Sequence, residues 1–315
     1  MNVNPRKAAI IGCGAVGTSI AFRFLQQGLF SKLVLLDVNR EKAEGEAMDL
    51  SDGLPYGSAM EITAGGYDDL EDCALVVITA GASQKPGETR LDLLGKNTEI
   101  LKGILGELTF RDFQGILLVV SNPVDVLTYA AWKLSGYPRQ RVIGSGTVLD
   151  TGRLKQLLGE KLGVDSRNVH AFIIGEHGDR ELAIWSGANV SGLDLEHFCA
   201  IRGEELGRQE MDRLYRQVRD SAYEIIRRKG ATCYGIAMAV GRIAESIVRD
   251  EHGVLPISVV MDGQYGQKDL ALSVPALVGR NGLEEVLEID MDARERQALE
   301  ESARQMKQAI RSLKI

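Results

Sequence analysis

Residues 8–17 read AAIIGCGAVG. An apolar run, Ala8 to Ile11, enters three glycines spaced G-x-G-x-x-G: Gly12, Gly14 and Gly17. Helical spacing follows from Ala15 to Gln27, and Gly28 is placed to end that helix. A buried strand that turns through glycines into a helix suits the backbone to a pyrophosphate. The first Gly permits the tight turn, the second lets backbone approach the phosphates, and the third lets helix and strand pack closely. The helix then faces the phosphates with unpaired N–H groups and the positive end of its dipole. Lys32 to Leu36 is the next apolar run, and Asp37 closes it, twenty residues beyond Gly17. A carboxylate there accepts hydrogen bonds from the adenosine ribose and repels a 2′-phosphate, so the cofactor expected is NAD rather than NADP.

Outward from this unit the alternation continues. Ala74 to Ala80 and Ile116 to Val120 are further apolar runs, with helical segments at Arg40 to Leu50 and Leu91 to Leu108. Near-continuous apolar strands alternating with helices predict an α/β fold: a doubly wound parallel-sheet (Rossmann) N-terminal domain over residues 1–145. The pattern changes after about Gly146. Val148 to Gly163 reads as a helix, then Val169 to Ile174 and Leu182 to Val190 as strands. Two long helical stretches, Glu205 to Arg228 and Tyr234 to Arg249, precede Ile257 to Met261, Ala271 to Val278 and Glu285 to Ile289, which read as strands of a separate sheet. Met291 to Leu313 closes the chain as a helix with a solvated charged face over an apolar stripe. Residues 146–315 are thus expected to form an α+β domain that binds substrate.

The 315 residues carry 44% apolar and 26% charged side chains, the balance of an ordinary folded protein. The net charge of −7 and the lack of a dense Lys/Arg run argue against nucleic acid and anionic membranes as partners. No apolar segment approaches the length that spans a bilayer, and Ala8 to Ile11 is too short for a secretory signal. Cys13, Cys73, Cys199 and Cys233 show no metal-ligand spacing, so no metal is expected and the cysteines read as free thiols in a reducing cytoplasm.

Five segments set polar residues in apolar surroundings: GASQKPGETR at 81–90, SNPVD at 121–125, VLDTGR at 148–153, GEHGDRE at 175–181 and ATCYGI at 231–236. In this order behind the glycine fingerprint, they resemble the L-lactate dehydrogenase branch of the lactate/malate dehydrogenase family, from about residue 7 to the C-terminus. The most specific part is G-E-H-G-D preceded by the Asp and Arg of L-D-x-x-R.

The resemblance implies reversible hydride transfer between NADH and a small 2-oxo acid. His177 is the expected acid/base, since imidazole titrates near neutrality and can both give and take the proton. Asp150 would orient it, although a helix cap explains Asp150 equally well from sequence. Arg153, three residues on and so on the same helix face, would fork onto the substrate carboxylate; a surface ion pair is the alternative. Arg90 would reach the carbonyl oxygen when the segment 81–90, a mobile lid in the family, closes. Asn122 would touch substrate or nicotinamide, with a turn before Pro123 as the competing explanation. Thr232 would line the substrate pocket. Val16, Thr79, Ala80, Gly81, Ser121 and Ile236 would line the cofactor.

Substrate choice falls to Gln84. Malate dehydrogenases of the family carry Arg at that place, to pair a second carboxylate. A neutral amide leaves that charge unmatched, so pyruvate/lactate is the expected pair, with malate or a branched 2-hydroxy acid as alternatives. The family habit implies a homotetramer. Lys155, two residues after Arg153, keeps one charge expected of a site for the activator fructose 1,6-bisphosphate, whereas Gly187 stands where a His is expected, implying weak activation or none.

Overall fold

A computed structural model describes residues 3–82 and 90–313, and of residues 90 and 91 the backbone alone. The chain runs β1 (Asn4–Ile11), α1 (Ala15–Gln27), β2 (Lys32–Leu36), α2 (Arg40–Asp52), β3 (Glu61–Ala64), β4 (Cys73–Ile78), α3 (Arg90–Phe110), β5 (Ile116–Val119), α4 (Val124–Ser135) and β6 (Val142–Gly144). It continues with α5 (Val148–Leu162), β7 (Val169–Gly175), β8 (Glu181–Val190), β9 (Leu193–Asp194), α6 (Leu195–Ala200), α7 (Arg208–Lys229), α8 (Tyr234–Arg249), β10 (Gly253–Asp262), β11 (Lys268–Gly279), β12 (Gly282–Val286) and α9 (Ala293–Ser312).

The first six strands pair in parallel in the order β3-β2-β1-β4-β5-β6. This is the doubly wound arrangement, whose crevice lies beyond the carboxyl ends of the strands where the order reverses, at β1 and β4. All four residues from Ala8 to Ile11 are buried, as are Val76, Val77 and Ile78 opposite them. Such strands are covered on both faces and therefore lack polar alternation.

The expected separate second sheet is not what forms. β10 joins β6 antiparallel at Ser258 opposite Gly144, β11 lies along β10, and β7 joins β11 at Ser273 opposite Gly175. With β8 and β9 beyond β7, and β12 on β11, one sheet of twelve described strands crosses the molecule. The reason is visible at the seam. A Cβ on Gly144 would stand 2.3 Å from Thr128 Oγ1 and 2.8 Å from Ser258 Cβ, so only glycine lets the two backbones meet there. Gly146, at φ +55°, would place a Cβ 2.5 Å from Ser258 N.

The second half stands on α5. Leu154, Leu158 and Leu162 recur every four residues and bury against Val169, Ala171 and Ile173, the alternate residues of β7. Near the start of α5, Thr147 Oγ1 donates to Ile173 O (2.6 Å), and Thr151 Oγ1 accepts from Ile173 N (2.9 Å). Helix and strand are therefore locked in register where the polar segments converge. The closing helix α9 buries Leu299, Ala303, Met306 and Ile310 as expected, but two polar residues are buried with them. Glu295 accepts from Trp185 N, Ser186 N and Ser186 Oγ, and Ser302 Oγ accepts from Glu176 N (2.8 Å). No helix of the described residues is long and apolar enough to cross a membrane.

Candidate active site

At the carboxyl ends of β1 and β4 the backbone is packed so closely that side chains are excluded. Gly12 adopts φ +105°, and a Cβ there would lie 2.6 Å from Ala80 N. A Cβ on Gly17 would lie 1.9 Å from Gly12 O. Gly14, in contrast, faces open space and caps α1 without a side chain, and no acidic residue stands in the first turn. Those N–H groups are thus presented for an anion. Thr79 Oγ1 donates to Gly12 O (2.7 Å), and Ser121 Oγ donates to Ala80 O (2.6 Å), so Thr79, Ala80 and Ser121 lie beside the glycine turn. Asp37 is held by Cys13 N (2.7 Å) and Asn39 N (2.9 Å), one donor on each oxygen. Val16 is half-buried on the first turn of α1. The donor set fits a dinucleotide: free backbone N–H groups for its phosphates and a fixed carboxylate for its ribose.

Sequence reasoning missed Asn97. Buried on α3, it accepts from Ala82 N through Oδ1 (2.7 Å) and donates from Nδ2 to Asn122 O (2.8 Å). It thereby ties the residue after Gly81 to the SNPVD segment; an Asn within a long helix was the available signal. Asn122 itself is exposed, and its side-chain oxygen reaches Val124 N at 3.3 Å across the cis bond to Pro123.

The second cluster forms where β7 ends. His177 follows Gly175, its backbone N–H donates to Asp125 Oδ2 (2.7 Å), and its Nδ1 lies 2.6 Å from Asp150 Oδ2. The other oxygen of Asp150 accepts from Arg153 Nη1 (2.8 Å). Asp150 is 2% exposed, Arg153 14% and His177 23%, so the imidazole is the member that reaches solvent. Asp150 is not the cap of α5, a position held by Thr147. One of its oxygens meets His177, the partner expected from sequence, and the other meets Arg153, which was expected to face the substrate carboxylate and pairs here with a neighbouring acid. The place of Asp150 in the first helical turn also suits a carboxylate to the helix dipole.

Thr232 and Ile236 flank the start of α8. That start lies against Leu149, the neighbour of Asp150: a Cβ on Gly235 would be 2.8 Å from Leu149 Cδ1. Gln84 lies outside the described residues. Arg90 is described only as the backbone residue that opens α3, so its side chain lies outside them too.

The two halves of the chain match two family models in succession. Residues 6–144 match the lactate/malate dehydrogenase NAD binding domain, and residues 147–314 match the alpha/beta C-terminal domain of the same family. The chain belongs to the lactate/malate dehydrogenase family. It is 48% identical over 310 residues to an L-lactate dehydrogenase of Acetivibrio thermocellus, covering 98% of each chain. It is 50% identical over 306 residues to an L-lactate dehydrogenase of Priestia megaterium, covering 96% of this chain and 95% of the relative. Among solved structures it resembles the minor L-lactate dehydrogenase of Enterococcus mundtii (TM-score 0.95, 43% identity, 98% of each chain). A lactate dehydrogenase from a Medee basin deep-sea metagenome library is also similar (TM-score 0.95, 44% identity, 100% of each chain).

Within this lactate/malate dehydrogenase scaffold the electrostatics are set by proximity. Burial opposes a charged imidazole, but the Asp150 carboxylate, through its charge and the hydrogen bond it accepts from Nδ1, outweighs it and holds the His177 pKa up at about 9. Burial would likewise raise Asp150, yet His177 and Arg153 bring it below the usual carboxylate range. Asp125 is pushed up by burial against the donors His177 N and Ser273 Oγ. Position 187 is an exposed glycine on β8, but His170 lies exposed on β7 opposite Asn189. A missing His at 187 therefore does not remove imidazole from this part of the sheet.

Proposed function

We propose that this site interconverts pyruvate and L-lactate with NAD(H), with His177 as acid/base, Asp150 as its positioning partner and Arg153 as the anchor for the substrate carboxylate. The observation that carries the reading is the shared carboxylate. Asp150 holds imidazole and guanidinium at once, so the proton carrier and the carboxylate anchor have a fixed spacing. The L-lactate dehydrogenases matched along nearly the whole chain support the same reaction.

Because Asp150 occupies Nδ1, the exchangeable proton sits on Nε2. The imidazolium gives that proton to the carbonyl oxygen of pyruvate and, in reverse, takes it from the lactate hydroxyl. Asp150 stabilises the cation without taking the proton itself. When bound, the nicotinamide supplies the hydride equivalent at carbon 2. Gly12, Gly14, Gly17 and Asp37 would hold the dinucleotide, with Thr79, Ala80, Gly81, Ser121 and Asn122 along it and Ile236 beside the nicotinamide. Arg90 would polarise the ketone, and Thr232 and Gln84 would close the pocket around a substrate with one carboxylate. The division at residues 145 and 146 separates the cofactor half from the chemical half; the abutting family models support it. A homotetramer in the cytoplasm is the assembly and place that go with this reading. Exposed Phe22, Met48 and Met238 on α1, α2 and α8 support association between copies.

The test is His177→Asn. NADH binding, followed by quenching of its fluorescence, is expected to persist, while pyruvate turnover falls by about three orders of magnitude. Turnover surviving in the variant would contradict the assignment of His177.

A further inference from the structure

Glu181, the last residue of the GEHGDRE segment, is left unused by the reaction as derived. It opens β8 with 4% of its surface exposed. Its Oε1 is buried and has no hydrogen-bond partner among the described residues, and its carboxyl comes within 4.8 Å of ligand atoms of both Asp150 and His177. An unpartnered charge in such a place is costly. The groups facing it are Asp150 and Arg153 from α5, His177 from the turn and Tyr215 from α7, whose hydroxyl donates to the Glu181 backbone carbonyl. Asp125 faces His177 from α4, with its oxygens taken by Ser273 and the His177 backbone. A metal ion among the three ligand atoms would have to sit beside the Arg153 guanidinium, which already neutralises Asp150. A proton meets no such repulsion.

We propose that Glu181 is a positioning residue that stays a neutral acid in the working site, so that Asp150 balances His177 and leaves the charge of Arg153 uncancelled for the substrate carboxylate. Two buried carboxyls this close do not both ionise. Asp150 has the two cations as hydrogen-bond partners and keeps the charge; Glu181 has neither cation as such a partner, only the Gly178 backbone N–H, and keeps the proton. Burial first, then the Asp150 charge, push its pKa up to about 9, against the attraction of His177 and Arg153. Above that pH an ionised Glu181 would cancel Arg153 instead, and a carboxylate substrate would enter a site with no charge to spare. The inference deepens the pyruvate reading and rests on it.

Two measurements test it. The first is the infrared difference between wild type and E181Q, both with NADH bound, at neutral pH. A protonated-carboxyl band present in the wild type and missing in the variant is expected; spectra without that difference overturn the proposal. The second is KM for pyruvate against pH. Wild-type KM is expected to rise above about pH 9 more steeply than that of E181Q, because His177 loses its proton there in both proteins and Glu181 only in the wild type. Parallel KM profiles in both proteins also overturn it. Should E181Q not fold, Glu181→Met removes the same ionisable group with an apolar chain and is read in the same two ways. Lack of pyruvate turnover in the wild type would defeat the function, while the infrared difference would still decide the state of Glu181.

Discussion

Asp150 divides its two oxygens between His177 and Arg153, so in the proposed reaction the proton carrier and the anchor share one carboxylate. In the proposed reaction, pyruvate reduction needs His177 protonated. With its pKa raised to about 9, the rate of reduction is expected to be level through neutrality and to fall as pH rises through about 9; lactate oxidation, which needs the free base, shows the opposite slope. Asp150→Asn removes the charge that outweighs burial. Its alkaline limb is expected to move down toward or below the ordinary imidazole value, and kcat/KM for pyruvate at neutral pH to fall about a hundredfold or more. An unmoved limb would show that Asp150 does not set the titration. Arg153→Lys replaces a planar fork by a point charge and is expected to raise KM for pyruvate about a hundredfold with NADH affinity unchanged. At this scale much was legible. His177, Asp150 and Arg153 stand at spacings that a helix and a glycine turn bring together. Asn97, Asp125 and Glu181 escaped because a polar residue in sequence carries no mark of its burial.

The elements matter for how they hold that cluster. Thr147 and Thr151 bond the start of α5 to Ile173 in β7, so the turn bearing His177 and the helix bearing Asp150 and Arg153 move as one body. Thr147→Val keeps the shape but leaves the Ile173 carbonyl without this donor. The variant is expected to lose about 1–3 kcal/mol of stability in a denaturant titration and to lose kcat/KM as well. A loss of stability with activity intact would mean the tie is only structural. Long helices and buried strands were readable from periodicity. β3 and β6, of four and three residues, are too short for any period to register. In α9 the charged face was readable, whereas the burial of Glu295 and Ser302 was not: they accept from Trp185 N and Glu176 N, more than a hundred residues away.

Across the whole molecule the decisive feature is the sheet that does not stop between the halves. The pairing of Ser258 with Gly144 joins the halves, and that of Ser273 with Gly175 carries the sheet on to β7. A strand pattern states which residues face a core but not which edge meets which edge, so the seam was invisible in sequence. Gly144→Val would force a side chain into Thr128 Oγ1 and Ser258 Cβ. It is expected to lower the unfolding midpoint of both halves together, as read by NADH binding and circular dichroism, because one sheet links them. Retained NADH binding with a lost C-terminal half would show that the halves fold apart. Continuity also explains how the glycine turn at β1 and β4 and His177 after β7 keep a fixed relation.

The most direct test of the function is NADH oxidation at neutral pH with pyruvate and, in parallel, with oxaloacetate. A single carboxylate anchor at Arg153 and a neutral Gln84 predict preference for pyruvate by about two orders of magnitude or more in kcat/KM. Preference for oxaloacetate would contradict the lactate reading and require a second cation at the far end of the substrate.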